Sequence, residues 1–242
     1  MSVVAHVVEA HGARIPVIGL GTWELRGRTC TRVVEQALQL GYRHVDTAEL
    51  YDNEGEVGEG LRAAAIARED VFVTTKLWNS QQGYDSTLAA FDASLGRFGF
   101  DYVDLYLIHW PVPTEDRFVD TWRAFERIRD EGLVRTIGVS NFRVADLERL
   151  QAETETLPTI NQIELHPRLQ QAELRAWHGE HRVATEAWSP LAQGDLLDHE
   201  TVVRVAERHG RTPAQAILRW HLQLDNVVIP KSATPERIRE NI

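Results

Sequence analysis

Four side chains able to bind or move a proton stand where apolar runs stop. Tyr42-Arg43-His44-Val45 runs into Asp46, and the loop that follows reaches Tyr51 within five residues (46 to 51). Val71-Phe72-Val73-Thr74-Thr75 runs into Lys76, and Val103-Asp104-Leu105-Tyr106-Leu107-Ile108 runs into His109. The gaps between these ends are 30 residues (46 to 76) and 33 residues (76 to 109). A strand, a helix and two loops need about 30 residues. Parallel neighbouring strands would therefore bring the carboxylate, phenol, ammonium and imidazole to one edge of a sheet. A tyrosine titrates near pH ~10 and donates its proton poorly at neutral pH unless a cation stabilises the phenolate. Lys76 is the available cation and Asp46 its counter-charge, so Lys76 is expected to lower the Tyr51 pKa. His109 is placed to orient a carbonyl oxygen. The set suits protonation of that oxygen as a hydride arrives at carbon.

A metal site built from His44, Asp46, His109 and His166 fits less well, because Lys76 would be an unfavourable neighbour for a cation. His44 shares a face with Asp46 and is expected to fill the interior of the sheet. Trp23, Trp78 and Trp110 fall just past strand ends and, with Leu50 beside Tyr51, are expected to wall a substrate pocket. Trp188 ends another apolar run and offers a flat face to a planar ring. Near the end of the chain, Lys231-Ser232-Ala233-Thr234-Pro235-Glu236-Arg237 reads as a strand end, a loop and a helix start. Thr234 is placed to cap and Pro235 suits the first helical position. Free N–H groups, the helix dipole, Lys231 and Arg237 then make an anion site.

The elements that must hold these groups alternate. A hairpin over about residues 6–16 turns at His11-Gly12. Strands are expected over Val17–Thr22, Tyr42–Asp46, Val71–Lys76, Val103–Ile108, Val134–Val139, Thr159–Leu165, Arg182–Trp188 and Asn226–Ile229. In the first of them Gly19 and Gly21 permit a close backbone approach. Helical spacing joins Val33, Val34, Ala37 and Leu38; Val57, Leu61 and Ala64; Leu88, Phe91, Leu95 and Phe98; and Phe118, Trp122, Phe125 and Ile128. Leu147 and Leu150 mark a further helix, Leu169 to Gly179 another, and two precede the last strand. Thr212, Pro213 and Gln215 open the second of those with a capping box. Eight strand–helix units in this length favour a closed (β/α)8 barrel, an α/β architecture whose active sites lie at the C-terminal ends of the strands. No Gly-x-Gly-x-x-Gly follows a strand and no P-loop occurs, so the usual marks of nucleotide binding are missing.

Composition narrows the class. At 242 residues and 43% hydrophobic content, the chain suffices for one barrel domain spanning 1–242. The formal charge is −10, with acids and bases interspersed, which argues against a nucleic-acid partner. A lone cysteine, Cys30, allows no internal disulfide and is expected to be a small, semi-buried residue. Met1 to Arg14 lacks a basic start and a long apolar run, and no stretch approaches a membrane span of roughly 18 apolar residues. A soluble cytoplasmic protein is expected.

With these residues in hand the sequence resembles the aldo-keto reductases. The resemblance is carried by Gly19-Leu20-Gly21-Thr22-Trp23, by Asp46-Thr47-Ala48 through Tyr51 and Asn53-Glu54, by Lys76-Leu77-Trp78, and by Leu107-Ile108-His109-Trp110-Pro111. It continues through Gly138-Val139-Ser140-Asn141-Phe142, Asn161-Gln162-Ile163-Glu164, Ser189-Pro190-Leu191 and Ile229-Pro230-Lys231-Ser232. Within the family the chain is most similar to the bacterial 2,5-diketo-D-gluconate reductase type, where Trp can stand at position 188. The resemblance implies a barrel that binds NADPH in extended form and reduces small carbonyl compounds. It implies a catalytic tetrad of Asp46, Tyr51, Lys76 and His109, with Tyr51 the proton donor. Ser140, Asn141 and Gln162 would hold the carboxamide, Trp188 would stack on the nicotinamide, and Gly21 and Thr22 would lie against the cofactor. Ser189, Leu191 and Gln193 would line the pyrophosphate path. Lys231, Ser232, Thr234 and Arg237 would contact the adenosine 2′-phosphate, with Glu240 and Asn241 near the adenine.

The resemblance also implies that the C-terminal helix and substrate loop are truncated or missing, since family members usually continue past the position of Ile242. It leads us to expect a monomer and a small-molecule carbonyl substrate. The alternative within the same fold is a non-catalytic NADPH-binding regulatory module, like the potassium-channel β subunits. A metal-dependent barrel hydrolase fails on Lys76 and on the lack of a ligand cluster.

Overall fold

A computed structural model describes residues 6–242. For residues 1–5, the expectation that the N-terminus is not a signal peptide falls outside the described residues. β1 (Val7–Ala10) and β2 (Ala13–Pro16) form an antiparallel hairpin. His11 and Gly12 turn it with φ of 44° and 84°, and two consecutive positive values match the twist of paired strands.

Eight parallel strands follow: β3 (Leu20–Gly21), β4 (His44–Asp46), β5 (Phe72–Leu77), β6 (Val103–Ile108), β7 (Val134–Ser140), β8 (Ile160–Glu164), β9 (Ala184–Trp188) and β10 (Val227–Val228). Each pairs with its predecessor in sequence order. Ile18 bridges Val228, and the Gly19 and Gly21 N–H groups donate to the carbonyls of Val228 (2.8 Å) and Pro230 (3.2 Å), so the sheet closes into the expected (β/α)8 barrel. The first strand is shorter than expected. Residues 17–19 give backbone bonds to Val228 on the closing side, and only Leu20 and Gly21 pair regularly with β4.

The helices are α1 (Gly27–Gln39), α2 (Glu54–Ala63), α3 (Tyr84–Phe98), α4 (Phe118–Asp130), α5 (Val144–Glu153), α6 (Ala172–His181), α7 (Glu200–Arg208), α8 (Pro213–Leu222) and α9 (Pro235–Glu240). Their apolar stripes carry the outer core. Val33, Val34, Ala37 and Leu38 of α1, Phe91 and Phe98 of α3, and Trp122 and Phe125 of α4 are fully buried with Val45, Val73, Tyr106 and Ile108. Each such side chain contributes roughly 1.5–3 kcal/mol on leaving water. The α8 capping box forms as expected, with Thr212 and Gln215 exchanging side-chain and backbone bonds of 3.3 Å each. α6 begins three residues later than expected, because Gln171 is held at φ +49° after a tight turn that pairs His166 with Leu169. Cys30 is fully buried rather than semi-buried, and burial pushes its thiol up to about 12.

Part of the barrel interior is apolar. Leu105, Leu107, Ile160, Ala184 and Val227 pack with Ala10 and Ile15, so the hairpin plugs the bottom. The rest of the interior carries His44, Thr74, Glu186, Asp46, Lys76 and Gln162, all buried. Gly19 makes room for His44: a Cβ there would stand 2.8 Å from the imidazole. No described helix is long and apolar enough to cross a membrane.

Candidate active site

The strand register sets the site. Gly21 is level with Asp46, Asp46 with Thr74, and Lys76 with Leu107, so Asp46 and Lys76 rise on adjacent strands. Lys76 Nζ donates to Asp46 Oδ1 at 2.7 Å and to the Thr47 carbonyl at 2.8 Å, and lies 5.1 Å from the centre of the Tyr51 ring. Tyr51 ends a single turn of 3-10 helix, Glu49–Tyr51, which Asp52 leaves at φ 51°. Asn53 anchors that loop. Its side chain donates to the carbonyls of Thr22 and Leu25 at 3.0 Å each and accepts from Thr47 Oγ1 at 2.5 Å. Arg26 bonds the Tyr51 carbonyl at 2.6 Å, and Glu49 accepts the Trp78 N–H at 3.0 Å. The tetrad expected from the sequence is thus gathered at one end of the barrel, with the His109 ring 5.9 Å from that of Tyr51.

Electrostatics separate the roles. Burial works against the Lys76 ammonium, but Asp46, Tyr51 and Glu186 together outweigh it and raise its pKa, so Lys76 is charged. Burial, then the Lys76 charge, pushes His109 down to about 3, so its imidazole is neutral, and its Nδ1 has no hydrogen-bond partner among the described residues. At Tyr51 the expected pull of Lys76 is present but does not win. Burial pushes its hydroxyl up, Lys76 pulls it down, and Asp46 and Glu186 push it up again; the net shift is upward. Lys76 therefore offsets part of the burial cost without bringing the phenol below its ordinary range.

Around this group stand the expected aromatics. Trp23 and Trp110 are 49% and 41% exposed, and Leu50 is 38% exposed, which marks an open mouth. Trp23 packs edge-on against Tyr51 at 4.8 Å, and Trp78 against His109 at 5.2 Å. A cleft of about 390 Å³ opens beside Trp110 and Asn141, lined also by Asn79, Val112 and Arg143. Asn79 and Arg143 carried no sequence signal, since polar residues after a strand are ordinary loop composition.

The residues expected to meet the cofactor fall into three groups. Ser140 Oγ donates to the Gln162 carbonyl (2.8 Å), Asn141 Nδ2 donates to the His109 carbonyl and to Ser140 Oγ (3.0 Å each), and Trp188 Nε1 donates to Asn141 Oδ1 (2.9 Å). Ser189, Ala192 and Gln193 sit at φ 48°, 49° and 54° in the loop after β9, which Leu191 shares. Lys231 and Arg237 are exposed at the start of α9, and Lys231 lies 3.5 Å from Glu24 across the barrel mouth. Thr234 occupies the N-cap position of α9 but makes no side-chain cap; its own N–H is taken by Ser232 Oγ at 3.1 Å. Glu240 accepts from Thr212 Oγ1, and its backbone carbonyl from Gln215 at 3.0 Å, so α8 holds it; Asn241 is buried. At Gly21 the close approach comes from the chain itself, since a Cβ would stand 2.7 Å from the Ile229 carbonyl; Thr22, fully buried, donates to the Asp46 carbonyl at 2.9 Å.

Glu186 was not anticipated. It lies fully buried on β9, two residues before Trp188 and on the same face, and burial followed by the Asp46 charge pushes it up to about 8. Its signal was present as a carboxylate in the inward phase of a strand whose other residues are uncharged. Among the described residues no group of three or more His, Cys, Asp or Glu is arranged to hold a metal ion.

Residues 17–242 match the Aldo/keto reductase family. A methylglyoxal reductase, DkgA, of Yersinia pestis is 50% identical over 232 residues, which cover 95% of this chain and 83% of that protein. The structure of an aldo/keto reductase from Brucella melitensis superposes with a TM-score of 0.95 at 56% identity, over 98% of this chain and 91% of that one. A mutant of Gox0644 crystallised in complex with NADPH gives a TM-score of 0.94 at 48% identity, over 98% and 86%. On the strength of its barrel, the strand-end constellation and these matches, the chain belongs to the aldo/keto reductase family.

Proposed function

We propose that this protein reduces small aldehydes and ketones, 2-oxoaldehydes such as methylglyoxal among them, with NADPH as reductant and Tyr51 as the proton donor. The observation that carries the reading is the Lys76 ammonium, wholly buried, held at 2.7 Å by Asp46 and 5.1 Å from the Tyr51 ring. When bound, NADPH supplies the hydride. Tyr51 carries its proton at neutral pH because its hydroxyl titrates above the ordinary range. It releases that proton to the carbonyl oxygen as negative charge builds there, and Lys76 lowers the cost of the phenolate left behind. Asp46 keeps Lys76 in place and keeps the pair neutral overall. His109, neutral, offers a ring N–H that orients the carbonyl oxygen and stabilises its developing charge. Trp23, Leu50, Trp78 and Trp110 give the reacting group apolar walls at the open mouth.

The residues present suit the dinucleotide. Lys231, Arg237 and the first N–H groups of α9 are donors for a phosphate. The loop that contains Leu191 holds Ser189, Ala192 and Gln193 in the left-handed region; each such conformation costs on the order of 1–3 kcal/mol and tends to persist at ligand clamps. Trp188, half-buried, offers its face to the nicotinamide, and Ser140, Asn141 and Gln162 offer amide and hydroxyl groups to the carboxamide. The relative named a methylglyoxal reductase and the NADPH complex of Gox0644 support the substrate class and the cofactor. The same reading takes residues 1–242 as one barrel domain working as a cytoplasmic monomer.

The test is the loss of NADPH absorbance with methylglyoxal, glyoxal, 2,5-diketo-D-gluconate and simple aldehydes. Turnover that disappears with Tyr51→Phe supports the reading. NADPH binding without turnover of any of them points instead to a regulatory module of the same fold.

A further inference from the structure

Gln162 reaches across the barrel from β8, and its amide nitrogen lies between two acids. Nε2 donates to Asp46 Oδ2 at 2.8 Å and to Glu186 Oε2 at 2.8 Å. An amide has two N–H donors on nitrogen and none on oxygen. Two carboxyl oxygens at hydrogen-bond distance therefore decide which way round the amide sits: nitrogen inward, Oε1 away from the acids. The alternative, carbonyl inward, would set Oε1 against the Asp46 carboxylate and forfeit both N–H bonds, the one to Asp46 and the one to Glu186. The neighbours explain why this matters. Asn141 already spends both N–H groups on His109 and Ser140 and accepts from Trp188, while Gln162 Oε1 has no hydrogen-bond partner among the described residues.

We propose that Glu186 is a positioning residue which, together with Asp46, locks the Gln162 amide so that its carbonyl oxygen is presented to the N–H₂ of the cofactor carboxamide. This rests on the reading of the site as one for a nicotinamide dinucleotide. The surroundings suit an acid kept for its shape and acceptor oxygen rather than for its charge. Glu186 is level with Gln162 in the strand register, its Oε1 makes no hydrogen bond among the described residues, and it faces His44 Nε2 at 3.7 Å. His44 is itself pushed down to about 4 by burial and is neutral, with Nε2 bonded to Thr74 Oγ1 at 3.1 Å. Pushed up to about 8 by its own burial, Glu186 adds no second negative charge beside the Asp46–Lys76 pair at neutral pH, yet its Oε2 still accepts from Gln162.

The test compares binding of NADP⁺ with binding of its 3-acetylpyridine analogue, in which a methyl group replaces the carboxamide N–H₂. Dissociation constants are measured by calorimetry for the wild-type protein and for Glu186→Met, Glu186→Ala and Glu186→Gln. Loss of one neutral hydrogen bond should raise the NADP⁺ constant roughly 2- to 12-fold in the Met and Ala variants. The analogue, which has no N–H to offer Gln162, should change less than about twofold. Glu186→Gln keeps an acceptor oxygen for Gln162 and should restore NADP⁺ binding to near the wild-type value. Ala leaves space for water and serves if Met does not fold. Equal losses for both dinucleotides, no loss for either, or a Gln variant as impaired as Met would overturn the role of Glu186. A wild-type protein that binds neither dinucleotide would instead overturn the cofactor reading, and with it the inference.

Discussion

Tyr51 is a proton donor set among opposing fields. Burial, Asp46 and Glu186 raise its pKa while Lys76 lowers it, and the phenol keeps its proton until charge develops on the substrate. General acid catalysis contributes about 10²- to 10⁴-fold. Tyr51→Phe, which keeps the ring against Trp23 and removes only the hydroxyl, should reduce kcat by at least that factor while the Kd for NADPH stays unchanged. Near-normal reduction of a good aldehyde by this variant would remove Tyr51 from the mechanism. Arg237 stands apart from the chemistry, exposed on α9. A charge-assisted bond to phosphate contributes about 1.5–3 kcal/mol, less at an exposed site. Arg237→Ala should therefore weaken NADPH binding about tenfold and NADH binding much less, as measured by titration of both dinucleotides. Equal losses would show that Arg237 does not read the 2′-phosphate. Both residues were visible as types at strand ends and helix starts. The direction of the Tyr51 shift was not, because it is a sum over buried neighbours from three strands.

At the level of elements, helix packing places the strand ends that carry the site. α2 follows the Tyr51 loop directly and crosses α3 at Gly58, where a Cβ would stand 2.2 Å from the Phe98 carbonyl. Two backbones meet there with no flexible side chain to give way. Gly58→Ala gains up to about 1 kcal/mol of helix propensity but forces the helices apart, at a typical cost of about 1–3 kcal/mol and occasionally more. A net loss of stability is expected, read as a lower urea midpoint with an unchanged slope. A midpoint that rises would show that the α2–α3 spacing can relax without cost. Periodicity placed α1 to α4, since apolar residues at spacings of three and four must face the sheet. It did not foresee that α6 starts at Ala172 or that Thr234 leaves its helix uncapped, because both depend on local turns whose dihedral angles compete with an equally plausible helical start.

The whole molecule buries histidines as neutral groups. Burial pushes His44, His178 and His221 down to about 4 and His109 to about 3, against 6.5 in an unfolded chain. Below pH 6.5 the unfolded chain takes up protons that the folded chain refuses, so stability falls as pH drops through that range. Glu186 acts in the opposite sense. The unfolded chain loses its proton near pH 4.5 while the folded chain keeps it to about 8, so this contribution declines as pH rises across that window. Urea midpoints should therefore fall steeply on acidification from pH 6.5 towards 4. Glu186→Gln should remove part of the decline between pH 4.5 and 8. A midpoint that is flat between pH 6.5 and 4 would mean that the imidazoles titrate normally within the fold.

What the sequence by itself determined was local and periodic. The alternation of strands and helices, the hairpin at His11-Gly12, the α8 capping box, the inward His44 and the tetrad at strand ends all follow from neighbours within a few residues, or from spacings that a parallel sheet must respect. Only the tertiary structure decided how the barrel closes through Ile18 and Val228, that Glu240 of α9 is tied to the start of α8, and that Gln162 bridges Asp46 and Glu186. Gln162 and Asp46 are 116 residues apart, and which inward-facing polar groups meet across a barrel depends on tilt and register summed over every strand between them. The same holds for the pKa of each buried group, which is set by the distance to charges on other strands and by the water that packing excludes.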